Sequence, residues 1–150
     1  ERAIEAPRGW ANVLSTKFDP AVITEGLGKS YELAQNMYKP FACGLVVHAA
    51  IDGCIQLSTE HDLKGDEIER IDLTVNPIVL ELTAKREPKD GLEGKFSVFH
   101  AAAVAVIRRL AGEPQFSDET VCSPDIVALR KRVEHRQYSS ARRTVRRDMR

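Results

Sequence analysis

A chain of 150 residues, 43% apolar and 29% charged, is one domain's worth of polypeptide, with enough apolar surface for a core and no run near the roughly 20 residues of a membrane span. Three widely spaced cysteines (Cys43, Cys54, Cys122) exclude a disulfide framework and a spaced zinc motif, and with no signal-peptide pattern they point to the reducing cytoplasm. The net charge of zero hides an asymmetry: nine Lys/Arg against Glu134 and Asp148 make the stretch Arg130 to Arg150 +7, leaving −7 on residues 1–129.

Residues 1–20 hold Pro7, Gly9, Trp10 and Pro20 with little periodicity, and read as an irregular segment anchored by Trp10. The start at Glu1-Arg2 reads as that of a truncated or processed chain. Asp19-Pro20 opens a short helix that Gly26 and Gly28 close. Residues 30–38 are expected to be a strand leading into the turn Tyr38-Lys39-Pro40. A helix follows over residues 45–59, with an apolar face broad enough to predict extensive burial. Ile71, Leu73 and Val75 alternate with Arg70, Asp72 and Thr74, the period of a half-solvated strand. Asn76-Pro77 ends it, and a short helix or extended turn leads into a charged loop from Lys85 to Gly94. Such a loop suits an active-site flap or a subunit contact.

A second long helix, residues 97–111, is apolar on nearly every side until Arg108 and Arg109, so it needs cover on more than one face, from this domain or from a partner such as a second copy. Ser123-Pro124-Asp125 starts a third, running through Ile126, Val127, Leu129 and Val133. The expected fold is α+β: a two-layer sandwich of helices on an antiparallel sheet, formed by residues 1–135, with residues 136–150 a basic tail. That tail is either a solvated terminus or a surface for nucleic acid or an acidic partner; with Tyr138 as its one aromatic, nucleic acid is the weaker reading.

Lys39 is the leading candidate for anion binding, because the following proline restricts its backbone and aims its side chain. His48 and Asp52, four residues apart, share one helix face, where a carboxylate could tune an imidazole or simply hydrogen-bond it at the surface. As metal ligands they lack a third partner nearby in sequence. Gly94-Lys95-Phe96-Ser97 has the flavour of a phosphate loop, but Lys89 stands where a Walker motif needs glycine and Phe96 parts lysine from serine. What remains is Lys95 and Ser97 at a helix start, as an anion site or with Ser97 as a plain cap. His100, one turn on, suits packing better than catalysis, and Cys43 lies beside the lysine turn as a candidate thiol.

Taken in order, these segments resemble the MmgE/PrpD family, which includes 2-methylcitrate dehydratase, cis-aconitate decarboxylase and iminodisuccinate epimerase. The similarity rests on Arg8-Gly9-Trp10, the lysine turn Lys39-Pro40-Phe41, the helix with His48 and Asp52, and Gly94-Lys95-Phe96-Ser97 before Ala101 to Ala105. Two features differ from the family pattern. Cys43-Gly44 stands where some members carry a histidine, and His135 to Arg150 lacks the alternating apolar strand expected after Glu134.

The resemblance implies the smaller, C-terminal domain of a two-domain lyase or isomerase. An all-helical domain, absent from this chain, would supply most of the acid–base groups across a cleft. It implies a di- or tricarboxylate substrate, anchored by Lys39 with Lys95 and Ser97 in support and His48 as the nearest candidate catalyst, without metal or organic cofactor. Asp52, Cys43 and His100 would be supporting residues, and the assembly a homodimer. The alternative reading, from a different class, is a non-catalytic interaction module whose basic tail binds an acidic partner.

Overall fold

The computed structural model describes residues 3–137, with the side chain of Gln137 left aside; residues 138–150 of the basic tail lie outside the described residues. The chain divides into two units, Glu1–Tyr38 and Lys39–Arg150.

In the first unit, helix α1 spans Trp10–Leu14 and α2 spans Pro20–Thr24. Asp19 caps α2 as expected, its carboxylate accepting from the Ala21 N–H at 2.9 Å, and Gly26 and Gly28 follow at positive φ, where L side chains are disfavoured. Trp10 does not anchor this unit: it is 66% exposed. The close contact is made by Gly9, where a Cβ would lie 2.5 Å from the Ile4 carbonyl oxygen, and Ala11 is buried beside it. The strand expected over residues 30–38 is absent; Glu32–Gln35 forms a 3-10 turn in otherwise irregular chain. A strand needs a neighbouring edge to satisfy its backbone, and no other extended segment pairs with this one among the described residues.

The second unit holds the core. A 3-10 turn at Leu45–Val47 leads into α3 (His48–Glu60), strand β1 (Ile71–Val75) and α4 (Pro77–Thr83). Then come α5 (Gly91–Gly94), α6 (Val98–Arg108), a 3-10 turn at Glu113–Phe116, α7 (Asp118–Val121), α8 (Pro124–Arg130) and strand β2 (Val133–Gln137). The expected antiparallel sandwich is not what forms. β1 and β2 make a two-stranded parallel pair, Ile71 opposite Val133 and Leu73 opposite His135. Residues 76–132 lie between the two strands, and a parallel pair requires such a crossover, here built of helices. The helix starting at Ser123 stops at Arg130, because Val133 is recruited into the strand that the sequence reading did not see.

α6 is the centre of this unit. Every residue from Val98 to Val106 is buried, His100 included, against α3, α4, α8 and β2. The cover predicted for its apolar sides therefore comes from this domain itself, and α6 gives no argument for a second copy. Four alanines (Ala101, Ala102, Ala103 and Ala105) allow neighbouring elements to approach closely. α3 is less buried than its composition suggested: Ile51, Cys54 and Ser58 face inward while Leu57 is 55% exposed. No helix among the described residues is long and apolar enough to cross a membrane.

Candidate functional site

The residues from Lys39 to Gly44 form a loop fastened at two points. The Ala42 N–H donates to the Ala111 carbonyl at 3.0 Å, and the Gly44 N–H donates to the Lys95 carbonyl at 3.1 Å. Two hydrogen bonds thus tie the lysine turn to the segments just before and just after α6. The reversal after α6 makes this geometry available. Arg109 takes a left-handed conformation (φ 52°) and turns the chain, so that Leu110 to Phe116 runs back along the helix.

The result is a cleft of about 590 Å³ lined by Lys39, Phe41, Cys43 and Gly44 on one side and by Lys95, Phe96 and Glu113 on the other. The two lysines predicted from sequence do meet there. Lys39 is exposed, and no carboxylate pairs with it among the described residues. Lys95 is held: its Nζ lies 2.9 and 3.2 Å from the two carboxylate oxygens of Glu113. Glu113 was missed by sequence reasoning, since eighteen residues and a whole helix separate it from Lys95 and no spacing rule links them. Cys43 lines the same cleft. Burial pushes its thiol up to about 11 even though Lys39 and Lys95 pull the other way, so it stays protonated near neutrality and is no ready nucleophile.

Ser97 and His100 lie on the opposite, inward side. Ser97 is fully enclosed; its hydroxyl donates to the Lys85 carbonyl and accepts from the His100 N–H at 3.1 Å, so it is a helix cap with no lone side facing the cleft. The His100 Nε2 donates to the Gln115 carbonyl at 2.9 Å, the ring meets Phe116 edge-on, and Nδ1 has no partner among the described residues. Burial is the main cause lowering its pKa to about 4, with Arg130 adding to it and the bond to Gln115 opposing. It is a neutral, packed histidine.

His48 and Asp52 share a shallow recess of about 410 Å³ with Pro40, Phe41 and Ala49, adjoining the lysine cleft through Pro40 and Phe41. They do not form a dyad. Asp52 accepts from Gln56 Nε2 at 2.7 Å, while the His48 ring packs edge-on against Phe41 and its enclosed Nε2 has no partner among the described residues. Among the described residues no group of three or more His, Cys, Asp or Glu is placed to hold a metal.

The second unit is thus a set of helices packed with a parallel strand pair, and its cleft is lined by two lysines. The chain belongs to the MmgE/PrpD family: the family's C-terminal domain matches residues 41–146. The matched span begins just past Lys39-Pro40, so it leaves out those two cleft residues and takes in the rest of the cleft lining, α3, α6 and both strands. It is therefore a domain of a dehydratase- or isomerase-like enzyme family. No individual curated protein matches the chain.

Proposed function

We propose that this chain is the substrate-binding small domain of a lyase or isomerase that abstracts an α-proton from a di- or tricarboxylate, in the manner of 2-methylcitrate dehydratase. The observation that carries the reading is the uncommitted Lys39 at the rim of a cleft whose other wall presents Lys95. A lysine ammonium on a substrate carboxylate neutralises the charge that builds up as the neighbouring carbon loses its proton, and so stabilises the enediolate-like transition state. The family membership supports the reaction class. The acid–base residues would come from an all-helical domain of the same protein, closing over the cleft. His48, in the recess that adjoins the cleft through Pro40 and Phe41, is this chain's own candidate for a catalytic group. Ser97 and His100 support the site only by holding the start of α6. The protein would act in the cytoplasm as a homodimer.

The test is Lys39→Ala in the protein carrying both domains, assayed with 2-methylcitrate and citrate. Loss of one charge-assisted contact that strengthens in the transition state predicts a fall in kcat/KM of about tenfold or more. Unchanged turnover and affinity would remove Lys39 from the site.

A further inference from the structure

The ion pair between Lys95 and Glu113 bears on what the cleft selects. Two lysines on its walls would favour a ligand with two or more carboxylates, but Glu113 already occupies Lys95 through both of its oxygens. The Glu113 side chain is 74% exposed and that of Lys95 30%, so the carboxylate reaches in from the solvent side over a partly enclosed ammonium. An exposed pair of this kind is weak and opens readily. Resting on the polycarboxylate reading above, we propose that Glu113 is the charge-selecting residue of this site. It acts as a built-in carboxylate that leaves Lys39 as the free cation, and an incoming polycarboxylate engages Lys95 only by displacing it. A monocarboxylate gains nothing from that displacement, whereas a second carboxylate on the same ligand replaces the one it removes. Glu113 thus lowers affinity most for a polycarboxylate, whose second carboxylate only replaces the one it removes, and so narrows the contrast between poly- and monocarboxylates.

Cys43, which lines the same cleft and feels the charge of both lysines, is a native reporter of the potential there. Alkylation of this thiol by iodoacetate (an anion) and by iodoacetamide (neutral) is followed by peptide mass spectrometry at pH 8.5, where lysines remain charged. The ratio of the two rates cancels differences in thiol exposure and ionisation. In Glu113→Gln the ratio rises about fivefold, as expected for one unmasked charge near the surface, and Lys95→Met in the same background abolishes the rise. Citrate then protects Cys43 at about fivefold lower concentration in Glu113→Gln than in the unaltered chain, and acetate, which needs only Lys39, gains less. An unchanged ratio in Glu113→Gln, or a rise that survives Lys95→Met, overturns the proposal. A raised ratio with no citrate protection in either protein supports the masking by Glu113 and counts instead against the polycarboxylate reading.

Discussion

Two helices of this domain begin alike in sequence and differently in structure. Each has a histidine in its first turn, His48 in α3 and His100 in α6, and each of those rings encloses one nitrogen with no partner among the described residues. At α6 everything else is satisfied: Ser97 caps the helix, Gln115 takes the ring proton and Phe116 covers the ring. At α3 no side chain caps the helix, Asp52 turns to Gln56, and His48 borders an open recess. The start of α6 is built for stability, with all but one of its polar atoms satisfied, and the start of α3 lies beside open space. A buried polar cluster that is largely satisfied rigidifies a core.

The contrast can be broken most strongly with pH. With a folded-state pKa near 4 against an ordinary value of 6.5, His100 takes up a proton in the unfolded chain before it does in the folded one. Stability is therefore full above about 6.5, falls as the pH drops from there towards 4, and loses about 3 kcal/mol across that window. Urea melts between pH 7 and 4.5 should show this loss, and His100→Gln, which can keep the bond to Gln115, should flatten it. An equally steep loss in the variant would mean that His100 is not the group responsible.

Substitution at the helix starts sharpens the comparison next. A Cβ on Gly94 would lie 2.7 Å from Val121 Cγ2 and 3.4 Å from the His100 ring, so Gly94→Ala should cost about 2 kcal/mol in chemical denaturation. Ser97→Ala removes the cap and the bond to Lys85, and about 1.5 kcal/mol should go with them. In α3 the opposite sign is expected. Gly53 has nothing within 4 Å of its would-be Cβ, so Gly53→Ala should stabilise by about 0.7 kcal/mol, read as a small rise in Tm. A destabilising Gly53→Ala would show that α3 is packed more tightly than its exposed face indicates.

Much of the local structure was legible because it depends on neighbours in sequence. Asp19-Pro20, Asn76-Pro77 and Ser123-Pro124 each mark a helix start, and the alternation from Ile71 to Val75 marks a strand. Ser123 itself shows the limit of such reading: it sits at the N-cap, yet its hydroxyl donates to the Thr120 carbonyl and Asp125. The strand at residues 30–38 was overread, since a short local stretch says nothing about whether an edge is waiting for it. β2 was underread for the mirror reason: Val133-Glu134-His135-Arg136 carries one strongly apolar residue, and it is β1 that makes it a strand.

The candidate site divides along the same line. The motif Gly94-Lys95-Phe96-Ser97 looked like one anion site, and the fold splits it, Lys95 to the cleft and Ser97 into the core. Sequence alone determined the residue types that can hold a carboxylate, the family they resemble, and the helix that had to be buried, because charge, motif order and periodicity are properties of the chain. Only the tertiary structure decided that the strands run parallel, that Lys39 and Lys95 line one cleft, and that Glu113 already engages Lys95. The strand pairing rests on the crossover of residues 76–132, and the cleft on the left-handed turn at Arg109 and the two hydrogen bonds of the Lys39 to Gly44 loop, contacts between residues that no local pattern connects.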